Sequence, residues 1–316
     1  NKYVSGIKTF YDTPFYFYQD TYDLLALAMA SLGIFGLCSN LLMLILYYKC
    51  QGLRTPSNLL LVNIGVSNVL SSIFGASFTF MCFFLIKVYE LFFRYTLVTM
   101  LHVYICFAGL VSSFTLTVLA YERYSRVIHD KIIDFSWTWR AVVCIWLYSW
   151  LWAVVPLIGW NRYTFENHGL DCALNWMPNG PNELSFVLTF VLACISELFF
   201  YTCLFQLVLA SDLQAVQVIK IINYEKYMIK ISVVMVLEFL CYWMPYAVIS
   251  LLTISGFDRL TTPTNTLVPL FISKSVAASN PVIYIFVNRK VCFFFGWGEV
   301  FFEVVKKCYN KALKEG

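Results

Sequence analysis

The chain has 316 residues, of which 60% are hydrophobic and only 13% charged, against roughly 45–50% and about 25% in soluble domains. An apolar excess of that size does not fit inside one water-soluble core. A formal net charge of +4 without a basic stripe argues against nucleic acid as a partner and suits contact with anionic membrane lipid. The 29 Phe, 21 Tyr and 9 Trp fit a lipid-facing protein with aromatic anchors at the interface. The eleven cysteines form no CxxC pair, and His102, His129 and His168 lie in different regions. No metal site and no Ser-His-Asp or Cys-His constellation is therefore expected, and the chain does not read as an enzyme.

A helix that crosses a bilayer needs about 20 predominantly apolar residues. Seven stretches meet this, at roughly 24–48, 58–86, 95–121, 141–160, 186–210, 231–254 and 265–287. Arg54-Thr55-Pro56-Ser57 precedes the second, Pro178-Asn179-Gly180-Pro181 the fifth and Thr262-Pro263-Thr264 the seventh, and such turn-forming runs punctuate helix starts. The expected fold is an all-α membrane protein, a bundle of seven transmembrane helices spanning 24–287, with an outer segment at 1–23 and an inner tail at 288–316.

Basic residues set the orientation, because they are retained on the cytoplasmic side. Fifteen Lys and Arg residues fall on the side of the first loop, Arg123 to Arg140, Lys220 to Lys230 and the tail, and six on the other side. The N-terminus is expected outside a cell membrane and the tail inside. From Val291 to Ala312 the tail alternates Phe, Trp and Val with Glu and Lys, the pattern of an amphipathic eighth helix on the inner face. Cys292 and Cys308 flank it as candidates for lipidation.

Lys274 is the single basic residue deep within a span. Such a position costs several kcal/mol on insertion scales, so a lysine there is paired or functional. A desolvated lysine also has a lowered pKa, and its neutral amine can condense with an aldehyde. The competing readings are snorkelling, which its depth disfavours, and a structural ion pair. A protonated Schiff base would in turn need a carboxylate nearby. Glu90, Glu166, Asp171 and Glu183 can approach from the outer side, and Glu197 and Glu238 lie within spans five and six.

Across nearly the whole chain the sequence resembles the rhodopsin-like receptor family. The resemblance is carried by Asn40 in the first span, Glu122-Arg123-Tyr124 ending the third, Trp146 in the fourth, Trp243-Met244-Pro245 in the sixth and Asn280-Pro281-Val282-Ile283-Tyr284 in the seventh. The lysine six residues before Asn280 narrows it to the opsins. The stretches Thr115 to Tyr124, Gly159 to Tyr163, Val218 to Ile221 and Tyr242 to Tyr246 look like the encephalopsin and teleost multiple tissue opsin branch, which is non-visual.

The resemblance implies a light-sensing receptor carrying retinal, cis in the dark, as a Schiff base on Lys274. It implies a pocket lined by Gly109, Trp243 and Tyr246. Leu101 occupies the position of the third-span counterion of vertebrate visual pigments. Glu166, six residues before Cys172, matches the older counterion site in the second outer loop and is the expected counterion, with Glu90 as runner-up. Glu122, Arg123, Tyr124, Asn280, Pro281 and Tyr284 would form the activation switch together with Glu225, the family's acid that pairs with Arg123 across the inner end. The implied partners are a heterotrimeric G protein of the inhibitory class, arrestin and membrane lipid. A photoproduct that keeps its chromophore is also implied.

The pattern breaks in several places. Val98 stands where the family has the cysteine that bridges to the second outer loop, so Cys172 lacks its usual partner, with Cys82 and Cys106 as substitutes if geometry allows. Asn68 replaces an aspartate of the second span. Span five lacks the family's proline and carries Glu197, and span six carries Glu238. Three other functions compete: a receptor for retinal or another small ligand that does not signal light, a retinal photoisomerase, and an ion transporter using Lys274, Glu197 and Glu238. The transporter has no use for the Glu-Arg-Tyr and Asn-Pro motifs and shows no inverted repeat.

Overall fold

A computed structural model describes residues 19–85, 91–129, 131–158, 163–165, 172–174, 202, 219–257 and 262–287. Within these, six long helices occur: α1 (Gln19–Lys49), α2 (Pro56–Leu85), α3 (Leu91–Ile128), α4 (Phe135–Val154), α5 (Ile219–Ile254) and α6 (Pro263–Val287). They correspond to the expected spans one to four, six and seven; α5 is the sixth span and α6 the seventh. Each runs past an expected boundary at one end or both, because helical hydrogen bonding continues where the apolar run stops, and α4 ends at Val154, short of the expected 160. The fifth span, with Glu197, and the eighth helix, with Cys292 and Cys308, lie outside the described residues. Two short 3-10 turns, Gln51–Leu53 and Val155–Ile158, follow α1 and α4. A two-stranded antiparallel hairpin pairs β1 (Tyr163–Phe165) with β2 (Cys172–Leu174), Tyr163 opposite Leu174 and Phe165 opposite Cys172.

The helix starts follow from the residues read above. Thr55 accepts a hydrogen bond on its hydroxyl from the Asn58 amide at 3.2 Å while Pro56 opens α2, and Thr262 does the same for Asn265 at 3.4 Å while Pro263 opens α6. Proline fits a first helical position, where no amide donor is needed, and a threonine cap satisfies one orphan amide. Asp134 caps α4, accepting from the Trp137 amide at 2.8 Å. At the end of α5, Gly256 has φ +78°. Its amide donates to the Thr253 carbonyl at 3.1 Å and the Phe257 amide to that of Leu252 at 3.0 Å, a Schellman ending that favours glycine.

Five of the described stretches, Asp23–Lys49, Pro56–Gly75, Phe135–Ile158, Val233–Ile254 and Asn265–Tyr284, are long and apolar enough to cross a membrane. Their outer faces carry large apolar side chains to the surface, among them Leu24, Leu27 and Ile34 on α1, Val143, Leu147 and Leu151 on α4, and Leu237, Val248 and Leu251 on α5. Water would oppose such an exterior, and lipid accepts it. The interior is a cluster centred on Leu60, Leu61 and Ile64 of α2, Leu116 and Leu119 of α3, Met235 and Phe239 of α5, and Val276 and Tyr284 of α6. On α3, Val111, Leu116, Leu119 and Ala120 are buried alongside Ser112, Ser113 and Thr115, so this helix forms the middle of the bundle and needs no continuous apolar surface.

Asn63 joins three helices. Its amide nitrogen donates to Thr115 Oγ1 of α3 at 2.8 Å, and its oxygen accepts from Trp146 Nε1 of α4 at 2.7 Å. Interhelical hydrogen bonds in membranes contribute about 0.6 kcal/mol on average and up to about 1.7, and a donor left buried without its acceptor costs about 1–3 kcal/mol. Asn63→Ala should therefore destabilise the bundle by about 1–3 kcal/mol, seen as a lowered thermal midpoint in detergent. An unchanged midpoint would show that Trp146 finds another acceptor.

Candidate functional site

Lys274 stands half-buried on α6, one turn below Leu270 and flanked by two serines whose hydroxyls are satisfied within the helix. Ser273 donates to the Leu270 carbonyl at 2.8 Å and Ser275 to that of Phe271 at 3.0 Å. The lysine is thus the chemically distinctive group on this face. On α5, Trp243 packs edge-on against Tyr246 with ring centroids 6.2 Å apart and lies 5.9 Å from Phe239. Pro245, inside α5, removes one backbone donor between these two rings. On α3, a side chain added at Gly109 would meet nothing within 4 Å, so open space adjoins the helix there. The structure thus places a primary amine on α6, a glycine on α3 and a pair of aromatic rings on α5. Glu166 and Glu90 lie outside the described residues.

The outer hairpin packs against α3. Tyr163 is buried and donates to the Ala153 carbonyl at the end of α4 at 2.9 Å; burial pushes its hydroxyl pKa well up. Cys106 of α3 is not in a disulfide and lies beside the Tyr163 hydroxyl; the Cys172 side chain lies outside the described residues. The Cys82 side chain lies outside the described residues.

Toward the middle of the bundle a polar chain links four helices. Asn40 of α1 donates to the Gly36 carbonyl and, across to α6, to the Ala277 carbonyl, both at 2.7 Å. That approach relies on Gly36, where a Cβ would stand 2.9 Å from Ser72 Oγ and 3.5 Å from the Ala277 oxygen. Asn68 of α2 donates to Asn40 Oδ1 at 3.4 Å and accepts from Ser112 Oγ of α3 at 3.1 Å. The amide at this position closes the chain without charge. Asn280 of α6 and Glu238 of α5 are also buried, and the terminal atoms of both lack a well-formed hydrogen bond among the described residues. Ser279 is the polar neighbour of Glu238. Tyr284 is buried in the core cluster, and Pro281, beside Asn280 in α6, is buried as well.

At the inner end of α3, Glu122 and Arg123 are each 1% exposed. Glu122 Oε1 accepts from Ser57 Oγ of α2 at 2.8 Å and from Arg126 Nε at 3.0 Å and Nη2 at 2.7 Å. Its other oxygen, Oε2, meets Arg123 Nε at 3.3 Å. Tyr124 is half-buried against the core and stacks edge-on with His129, with centroids 5.7 Å apart. Glu225 lies on α5, with its side chain outside the described residues. Sequence reasoning missed Ser57 and Arg126. A four-residue spacing of acid and arginine on one helix was the available signal for Arg126; nothing local marked Ser57, which comes from another helix.

Comparison with known proteins agrees with this architecture. Residues 39–284 match the family model for the 7 transmembrane receptor (rhodopsin family). The chain is 41% identical to Opsin-3 of Mus musculus, over 87% of this chain and 70% of that protein. It is 29% identical to pinopsin of Columba livia, over 79% of this chain and 73% of that protein. Among solved structures, squid rhodopsin superposes with a TM-score of 0.77 at 24% identity, covering 89% of this chain and 87% of that one, which bears on the fold alone. The matched family is one of receptors and not of enzymes, and its members cross the membrane several times. With the family model spanning most of its length and an opsin matched at this identity and coverage, the chain belongs to the rhodopsin family of seven-transmembrane receptors and, within it, to the opsins.

Proposed function

We propose that the protein is a non-visual light sensor of the cell membrane that carries retinal on Lys274 and signals to a heterotrimeric G protein of the inhibitory class. The observation that carries this reading is the lysine itself: an amine on α6 six residues before Asn280-Pro281, in a bundle with open space at Gly109 and the Trp243–Tyr246 wall on α5. Retinal bound there, in its cis form in the dark, supplies light absorption and a change of shape. The resemblance to opsins named for non-visual organs supports the same reading. The N-terminus faces outside and the basic inner face meets the G protein and, after activation, arrestin.

The rest falls to the protein's own side chains. Glu166, with Glu90 as the second choice, supplies the negative charge that lets the linkage keep its proton. Trp243 and Tyr246 register the altered ligand shape, and a ligand shifts a two-state equilibrium only by binding the two states unequally. Pro245 lets α5 bend at that level. At the inner end Glu225 holds Arg123 in the dark, and Asn280 and Tyr284 exchange partners as α5 moves. Cys292 and Cys308, flanking an amphipathic eighth helix, tether the tail to lipid.

Four measurements test this reading. Reconstituted with cis-retinal in the dark, the wild type should show a visible band that light changes and that Lys274→Ala abolishes; no band from folded protein would remove the photoreceptor reading. Light-stimulated nucleotide exchange on the G protein separates a receptor from a photoisomerase, which would instead release retinal. Glu166→Gln should move the visible peak and make it pH-dependent, and an unchanged peak would exclude Glu166 as counterion. Glu225→Gln should raise dark nucleotide exchange about five-fold, the effect of losing about 1 kcal/mol of restraint, and no rise would place Glu225 among solvated surface charges.

A further inference from the structure

Glu122 has two cationic neighbours on its own helix, and the one it holds by hydrogen bonds is not the motif arginine. Oε1 accepts from Ser57 Oγ and from the Nε and Nη2 of Arg126. Nη2 of Arg126 also donates to Ser57 Oγ at 3.1 Å, so arginine, serine and carboxylate close a ring. Oε2 faces Arg123 Nε at 3.3 Å, outside hydrogen-bond geometry. The four-residue spacing of Glu122 and Arg126, acid first, is the favourable order for a helical ion pair. Ser57 sits in the first turn of α2, where the exposed amides and the helix dipole favour a negative charge. The carboxylate is thereby anchored to a second helix.

We propose that Arg126, acting with Ser57, is a positioning residue of the switch: it draws the Glu122 carboxylate away from Arg123 and so sets how readily Arg123 is released. This inference rests on the receptor reading above. Three donor contacts on Oε1 hold the carboxylate toward Arg126 and Ser57, and Oε2 then meets Arg123 Nε only at 3.3 Å and outside hydrogen-bond geometry. In a site this buried the competition is not screened by water: Glu122 is 1% exposed and Arg126 only 22%. When α5 moves and Arg123 turns to the G protein, Glu122 keeps its remaining partners. Opening therefore leaves no unpaired buried charge, which would otherwise cost several kcal/mol.

Arg126→Gln removes the competitor and leaves Arg123 as the one cation named here for Glu122, so the closed state is favoured. The test uses the full chain in nanodiscs with a spin-label pair at the inner ends of α3 and α5, read without retinal and again with cis-retinal before and after light, beside nucleotide exchange on the G protein. The expected result is a several-fold fall in the open population and in basal exchange for Arg126→Gln, a smaller fall of the same sign for Ser57→Ala, and partial recovery in Arg126→Lys, whose ammonium restores charge but not the planar fork. An open population that stays the same or rises in Arg126→Gln overturns the proposal. So does a fall in exchange for Arg126→Gln with no change in spin-label distances and none in Ser57→Ala, which would mean that Arg126 touches the G protein directly. The distances need neither light nor G protein, so they remain decisive if the photoreceptor reading fails, and the visible band reports that failure separately.

Discussion

A polar group carried into lipid must find its partner inside the protein, because the hydrocarbon offers none. That constraint organises the bundle more than apolar packing does, since lipid tails cover an apolar helix face as well as another helix does. Asn63 is held by Thr115 and Trp146, Asn40 by Gly36 and Ala277, and Glu122 by Ser57 and Arg126. Each contact fixes one helix against another at a defined height. Together they tie α1 to α6, α2 to α3 and α4, and the inner end of α3 to the start of α2. The large apolar residues fill the space between, and the surplus faces outward.

The same constraint explains which parts of the fold could be read from the sequence. Spans, capped starts and the proline positions depend on local composition, so Thr55-Pro56 and Thr262-Pro263 open helices where expected, as their cap hydrogen bonds show. The positions of Lys274, Trp243, Asn280 and Arg123 were legible because each belongs to a short motif at a fixed spacing. What escaped is contact between distant residues. Ser57 and Glu122 are 65 positions apart, and no periodicity links a serine at the start of one helix to an acid at the end of the next. Cys106 shows the limit from the other side. As a thiol on α3 it qualified by type as a partner for Cys172, and only the structure shows it beside Tyr163.

The interior has two polar zones with different character. Around Asn68 the donors and acceptors match: Asn68 both gives and receives, and Ser112 donates to Asn68 and to Ser67 within hydrogen-bond range. Glu238 of α5 and Asn280 of α6 bring buried terminal atoms without a well-formed hydrogen bond among the described residues, as Asn58 Oδ1 on α2 and Ser125 Oγ on α3 do. An unsatisfied buried polar group costs about 1–3 kcal/mol, and for Glu238 and Asn280 that cost falls on the helix pair containing Pro245, Pro269 and Pro281. The chain through Asn40, Asn68 and Ser112 is therefore better satisfied than Glu238 and Asn280.

Asymmetry of this kind is what a switch requires. If every interior contact were satisfied, any movement of α5 would break bonds on all sides at once and the closed state would be too deep for a ligand to shift; if none were, the bundle would have no unique closed state. Under the function proposed above, a change of ligand shape at Trp243 and Tyr246 would pass to Phe239 and Met235, which pack in the core cluster with residues of α3 and α6. Packed interfaces are bistable more than elastic, so a small displacement at the aromatic pair resolves into one arrangement or the other. The inner end then settles which. Ser57 anchors Glu122 to α2, and under the proposal above that anchor makes Arg123 the element that moves.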